Sequence, residues 1–569
     1  MSMGPHARMP GFPNRVLGTT AACLLLSLAA LGSVGARERS GPDRDAEPSP
    51  CITEASLRLT ASPATVLYGQ SSRLSWAVTV PRHCTGVSIT VAGALVGRNG
   101  SRQVAPSANS QYHLVVSQTR LGVRSQTSAS AQVAVTYPER VVIAPDTPTP
   151  AKLLAAAVAA EGVRTIELRC GVEIDMTGLS QLTLSGHSII ASPGCERSLS
   201  RPGPLIYVTD ERRNLALFDV RGDRVALSGF RLRGPTDYLA NGDRKETAIR
   251  IVPFSDHPPI EAIEISNMEI FHWSGAAIDV RDAAAPGTTR GRLTNARTTL
   301  QIRNNHIHHN RHGAGFGYGV NVGYGAYALI ERNAFDENRH AISGDSSNGA
   351  GDYSGYTARD NLILSGGGRH CTDSLISICW QTHQIDMHGE DSTVLGGDYC
   401  CGIAGETMLI ERNTVLYDAG YAIKIRGNPT DKAVVDGNAF RLGSQGSAIA
   451  QNGDTDGDIT RPIQVRPNNR YGIADPTTRL GRCDFDGDGT LDEFMTTGVT
   501  WWARSTAQPQ WRYLNTQPQM LAQLELRDMD GDRICDVVRT ASSPLGGSLR
   551  KMYSRSGTGA WTYFSEVER

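Results

Sequence analysis

Apolar and polar positions alternate with period two along most of this chain. Between Cys51 and about Tyr137, runs such as Arg73-Leu74-Ser75-Trp76-Ala77-Val78 and Gln111-Tyr112-His113-Leu114-Val115-Val116 are separated by turns rich in Gly, Ser and Asn. That is the pattern of strands with one buried face in a β-sandwich. The pattern changes at Thr149-Pro150, an N-cap residue and a proline suited to the first helical turn. Ala- and Leu-rich sequence then runs to Glu161 and ends at Gly162, predicting one helix. Beyond it lies a long series of short β-branched segments that alternate as strands do, including Ala277-Ile278-Asp279-Val280-Arg281 and Ala422-Ile423-Lys424-Ile425-Arg426.

These segments repeat. An Asn-x-apolar motif recurs at Asn267, Asn305, Asn333, Asn361, Asn413 and Asn438, at intervals of 38, 28, 28, 52 and 25 residues. The string Leu-Ile-Glu-Arg-Asn occurs whole at 329–333 and at 409–413. With 52 counted as two turns and 38 as a turn with an insertion, the period is near 26 residues, which indicates stacked repeats. Strand-like alternation makes each repeat a β-coil, with apolar residues inside and Asn at a turn that suits left-handed backbone. The predicted helix covers the first coil and hides its open edge. About a dozen coils at ~4.8 Å each give a rod ~60 Å long.

Over roughly 145–470 this repeat resembles the right-handed parallel β-helix proteins of the pectate-lyase-like superfamily. Over 51–140, the stretch Ser62-Pro63, Tyr68-Gly69, Leu74-Ser75-Trp76 and Tyr112-His113-Leu114 resembles bacterial Ig-like domains. After Tyr471, Asp484-Phe485-Asp486-Gly487-Asp488-Gly489-Thr490-Leu491-Asp492 is echoed 44 residues later by Asp528-Met529-Asp530-Gly531-Asp532-Arg533-Ile534-Cys535-Asp536. Carboxylates at positions 1, 3, 5 and 9 around a turn glycine form an oxygen cage of the kind calcium requires. The expected ligands are Asp484, Asp486, Asp488 and Asp492, then Asp528, Asp530, Asp532 and Asp536, with Arg533 replacing Gly489 in the second copy. No helices flank the loops, which excludes an EF-hand; over 478–569 they resemble the calcium loops of integrin-type FG-GAP repeats. Two copies cannot close a propeller, so a small end module is expected. The fold class is therefore all-β: a sandwich, a β-helix with a capping helix, and a small β module.

Composition adds the address. Residues 1–36 read as a secretion signal, with Arg8 and Arg15 before the apolar stretch Val16–Leu31 and small residues at Val34-Gly35-Ala36. Residues 37–50, rich in Pro, Arg, Asp and Ser, read as a linker. Nothing beyond the signal approaches the length of a membrane span, so an exported protein without membrane insertion is expected. Lys plus Arg number 56 against 57 Asp plus Glu, which leaves no bulk charge to attract nucleic acid. Of eleven cysteines, ten lie outside the signal, and in an oxidising compartment they form disulfides. Cys170 pairs with Cys195, and Cys371, Cys379, Cys400 and Cys401 pair among themselves. Cys51 and Cys84 are candidates for a pair, as are Cys483 and Cys535, which flank the two acidic loops.

Candidate chemistry lies on the outside of the coils. Aligning Ile249-Arg250-Ile251, Ile278-Asp279-Val280, Val320-Asn321-Val322, Ile385-Asp386-Met387 and Ile423-Lys424-Ile425 by their inward residues gives an outward column of Arg250, Asp279, Asn321, Ser343, Asp386 and Lys424. Two residues further on, a second column reads Arg281, Gly323, Asp345, His388 and Arg426. The run from His383 to Glu390 places His383, Asp386, His388 and Glu390 within eight residues. Upstream, His306, His308, His309 and His312 alternate in a way that lets imidazoles on one strand face share a transition-metal ion.

Two reactions on a polysaccharide or cell-surface glycan fit these residue types. In β-elimination from a uronate, Lys424 or Arg426 neutralises the sugar carboxylate, as bound calcium also would, and His388 removes the adjacent proton. In glycoside hydrolysis, Asp386 works with Asp279 or Glu390 as a carboxylate pair. Arg281, Asn321 and His383 are the expected substrate-binding residues. The superfamily places Arg, Lys and calcium-binding Asp on an equivalent face; no catalytic motif matches residue by residue, so the resemblance supplies only the location. A non-catalytic adhesion protein is the third reading.

Overall fold

The structure is a computed structural model. It describes residues 55–567 except 83, 121–122, 212–215, 237–244, 253–261, 282–299, 314, 347–352, 372–378, 391–399, 455 and 543–548. The expected secretion signal, the linker and Cys51 lie outside the described residues. The first described unit has a three-stranded antiparallel sheet (Ser56–Ser62, Ser72–Thr79, Asn99–Val104) facing a mainly antiparallel five-stranded one. Leu74, Trp76, Val91, Leu114 and Val116, the inward members of their alternating runs, fill the space between. Gly100 stands opposite Trp76, where a Cβ would lie 2.5 Å from the indole, so the ring needs glycine there.

Three long parallel sheets of eleven, ten and nine strands follow. Each coil contributes one strand to each sheet, the arrangement of a parallel β-helix. Ile249, Ile278, Val320, Ile342, Ile385 and Ile423 stand in register inside it and are fully buried. The helix Pro150–Ala159 closes the first end, setting Leu153, Leu154, Ala157 and Val158 into the same core. Thr149 occupies the N-cap position without a side-chain cap bond, so Pro150 with its preset φ carries the start.

A buried asparagine ladder fixes the stacking. The backbone N–H of Asn305 donates to Asn333 Oδ1 at 3.0 Å, Asn333 to Asn361 at 2.9 Å, Asn361 to Asn413 at 3.1 Å, Asn413 to Asn438 at 2.8 Å and Asn438 to Asn469 at 3.0 Å. Each Nδ2 also donates to a strand carbonyl, such as Asn361 to Ile330 O at 2.9 Å. The ladder corrects the repeat in two ways. Asn267 is not a rung: Met268 holds that position and donates to Asn305 Oδ1. Left-handed backbone belongs to the residue before each rung, at Asn267, Asn304, Arg332, Asp360, Arg412 and Gly437, while the rung Asn turns inward. The 52-residue interval is one coil, because Asn361 bonds Asn413 directly and Gly355–Arg359 pairs with Thr407–Glu411. Within it Arg369–Cys371 pairs antiparallel with Cys379–Gln381, tied by Cys371–Cys379. Eleven strands at ~4.8 Å make a rod of roughly 50 Å, shorter than expected by about the coils miscounted.

Two four-stranded antiparallel sheets form the C-terminal module. It does not sit at the end of the rod. Met495, Trp502 and Trp511 pack on Ala334, Leu362 and Leu416, an apolar patch on the ten-stranded side that requires cover. Thr414 Oγ1 bonds Thr497 Oγ1 there at 2.8 Å. Disulfides join Cys170 to Cys195, Cys400 to Cys401 and Cys483 to Cys535 as expected, and Cys84 is also disulfide-bonded.

Replacing Asn361 with Ala strands the N–H and Nδ2 of Asn333 in the core. Denaturant unfolding should show a loss of about 2–4 kcal/mol, against nearly none for the exposed Asn468→Ala. Equal effects would refute the ladder as the element that fixes the stack.

Candidate active site

The outward columns expected on the nine-stranded sheet are in register. Arg250 pairs with Asp279, Asp279 with Asn321, Asn321 with Ser343, and Asp386 with Lys424; Asp345 bridges to His388. Several of these outward residues are buried, among them Asp279, Ser343, Asp386 and Arg426.

Asp386 is the centre of one cluster and is fully buried. Arg426 grips it bidentately, Nε to Oδ1 at 3.1 Å and Nη2 to Oδ2 at 2.8 Å. His383 Nε2 lies 3.1 Å from Oδ1 and His388 Nε2 2.7 Å from Oδ2. Burial alone would raise the Asp386 carboxyl, but Arg426, then His383 and His388, outweigh it and hold the group well below its ordinary value. Burial pushes the His383 imidazole down to about 4 against the pull of Asp386, and burial beside Arg339 lowers His340 well below its usual range. The His383 and His340 rings stack at 4.4 Å.

Asp279, Arg281 and Asn321 form a separate cluster. Arg281 Nε donates to Asp279 Oδ2 at 2.8 Å and Asn321 Nδ2 to Oδ1 at 3.0 Å. Three strand steps separate Asp279 from Asp386, about 14 Å at ~4.8 Å each. Glu390 is exposed and accepts from the Ile403 N–H at 3.3 Å, four residues along the chain from Asp386.

Two clefts flank the Asp386 cluster. One of about 390 Å³ is lined by Lys245, Arg281, Tyr318, Tyr324, Asp345 and His388. The other, about 540 Å³, is lined by Arg339, Trp380, His383, Tyr421, Lys424 and Arg426. Arg339 is 6 % exposed, and no carboxylate among the described residues forms an ion pair with it. Its Nη1 reaches the Tyr318 hydroxyl at 3.4 Å and its Nη2 reaches His370 Nδ1 at 3.0 Å, while Nε has no partner. Burial lowers this guanidinium from its ordinary value, with neighbouring Arg426 acting in the same direction. His370 stacks on the half-exposed Trp380 at 4.6 Å, placing an aromatic plate beside the cation.

The two-residue columns miss Arg339, Tyr318 and His340. A signal was present: Tyr318, His340 and His383 each stand three residues before an outward position, at Asn321, Ser343 and Asp386. A spacing of three falls between the steps of a two-residue alternation, so the columns pass over these residues.

The acidic loops have the same backbone form. Asp484 accepts from Gly487 and Gly489 N–H at 2.7 and 2.8 Å, and Asp528 accepts from Gly531 and Arg533 N–H at 2.7 and 2.9 Å. Arg533 adopts φ 69, so it reproduces the turn of Gly489. The loops differ in charge. Around the first, Asp492 is buried with Oδ1 unpartnered, and burial, reinforced by Asp486, Asp488 and Asp484, raises its carboxyl to about 6. A hard cation would relieve that. In the second, Arg555 pairs with Asp530 and Asp532 at 3.0 Å each, and both oxygens of Asp536 accept backbone N–H groups.

No family model, curated protein or solved structure matches the chain.

The buried imidazoles set an acid limit. Because the folded value of His383 is about 4 and its ordinary value is 6.5, the native state binds fewer protons than the unfolded chain between them. Stability present above about 6.5 should therefore decline as pH falls toward 4. Melting temperature should drop by several degrees across that window and His383→Gln should flatten the slope; a melting temperature independent of pH would contradict the burial.

Proposed function

We propose that the protein is an exported polysaccharide lyase that cleaves an acidic glycan in the groove formed by the two clefts. The observation that carries this reading is Arg339, a buried cation without a carboxylate partner among the described residues that opens on a cleft with Lys424 and an aromatic plate. Leaving such a charge unpaired is unfavourable, and an anionic ligand compensates it. In the reaction, Arg339 and Lys424 neutralise the sugar carboxylate, which acidifies the adjacent C–H. His388, oriented by Asp386, accepts that proton; the C–O bond to the leaving sugar breaks as a carbon–carbon double bond forms. Arg426 holds Asp386 in place and is not the substrate's cation, as its guanidinium is committed.

The hydrolase reading is weaker, because carboxylate pairs in such enzymes stand roughly 5–10 Å apart, and Asp279 is three strand steps, about 14 Å, from Asp386. Four disulfides between described cysteines suit an oxidising compartment, and no described helix is long and apolar enough to cross a membrane.

Incubating the protein with acidic and neutral glycans should yield ultraviolet-absorbing unsaturated ends from an acidic substrate. Reducing ends without unsaturation would select hydrolysis, and binding without cleavage an adhesion protein. Arg339→Ala should lower kcat/KM at least a hundredfold, about 2.7 kcal/mol, with a smaller loss in Arg339→Lys.

For the C-terminal module, the reading is calcium in the first loop, held by Asp484, Asp486, Asp488 and Asp492. Arg555 supplies the positive charge in the second, over Asp528, Asp530, Asp532 and Asp536. Calorimetry should then count a single tight calcium ion per chain, abolished by Asp492→Asn, and Arg555→Ala should add a second. Two tight ions in the unaltered protein would overturn the distinction.

A further inference from the structure

A second cluster of titratable groups lies on the ten-stranded side, away from the groove and unused by the proposed reaction. Glu269–Phe271 and His306–His308 are adjacent parallel strands with Glu269 opposite His306. One carboxylate oxygen of Glu269 and one ring nitrogen each from His306 and His308 lie within 4.8 Å of one another. Glu269 and His306 are 5 % and 7 % exposed. The C-terminal module contributes to this cover: Gln510 Nε2 donates to Glu269 Oε1 at 2.9 Å, and Arg512 Nη2 to Asn267 Oδ1 at 2.9 Å.

The hydrogen bonds leave this cluster incomplete. His306 Nδ1 is buried without a partner, although buried polar atoms are ordinarily satisfied. His308 Nε2 lies 3.1 Å from Glu269 Oε1, and its Nδ1 faces His309 Nδ1 at 2.8 Å. In the tautomer in which His308 donates its Nδ1–H to His309, the Nε2 lone pair faces the Glu269 carboxylate, and a cation held between them would be shared by both. A metal-bound imidazole characteristically passes its other N–H to such an acceptor.

We propose that Glu269, His306 and His308 bind a transition-metal dication of the zinc class at the seam between the rod and the C-terminal module. Two imidazoles and one carboxylate favour such an ion over calcium, which takes oxygen ligands. Gln510 holds the carboxylate in position from the module side, so the ion also fastens the two units together.

The test uses the full chain, stripped with a chelator and then dialysed against cobalt(II) in excess calcium. A single cobalt ion per chain should remain, with the visible absorption of a nitrogen- and oxygen-ligated site, and it should raise the melting temperature. His308→Ala and the near-isosteric Glu269→Gln should each weaken cobalt binding roughly tenfold or more, while circular dichroism stays unchanged. His383→Gln, in the other buried group of two imidazoles and a carboxylate, should leave the ion in place. No retained cobalt, retention unaffected by Glu269→Gln, or loss only in His383→Gln would each overturn the assignment.

Discussion

Every later feature of this molecule depends on the asparagine ladder. A coil must turn between strands, and the turn would otherwise bury backbone N–H groups with nothing to accept from them. Each rung supplies the acceptor from the next coil and donates its own amide to a strand carbonyl, so the turn of one coil is satisfied only when the next sits in one register. A slip by one residue would turn every inward isoleucine outward. The outward columns inherit the same register, which is why Asp386 meets Lys424 across one strand pair and Asp345 meets His388 across another.

Charge on the groove face follows a second constraint, the avoidance of unpaired buried ions. Asp386 satisfies it internally with Arg426 and two imidazoles; Asp279 does so with Arg281 and Asn321. Arg339 has no such carboxylate among the described residues, and its Nε is left without a partner. The acidic loops divide along the same line. Arg555 completes one from within the chain, while Asp492 keeps a bare buried oxygen in the other.

Much of this was legible because a period of two and a repeating Asn survive in the sequence without tertiary context. The strand columns, the capping helix and the disulfides of the rod followed from local pattern. Three kinds of information did not. The repeat length alone cannot tell two coils from one coil with an insertion, so the 52-residue interval was misread until the direct bond from Asn361 to Asn413 resolved it. Asn267 shares its residue type with the rungs but is followed by Met268-Glu269 instead of x-apolar, one residue out of step, and it occupies the left-handed position before the rung. Arg339 lies just before its strand, at Arg339-His340, where no alternation reaches. The docking of the C-terminal module was hidden too, since Ala334 and Leu362 read as ordinary strand residues until Trp502 and Trp511 cover them.

The long coil between Asn361 and Asn413 has a consequence for how such a protein diversifies. Its extra residues leave and rejoin the stack without displacing the rungs on either side, since Asn333, Asn361 and Asn413 still bond in sequence. The hairpin bearing Trp380 is thus a cassette mounted on an indifferent spine. A change in its length or sequence would alter the wall of the cleft beside Arg339 while the strand register of Asp386 and Lys424 stays as it is.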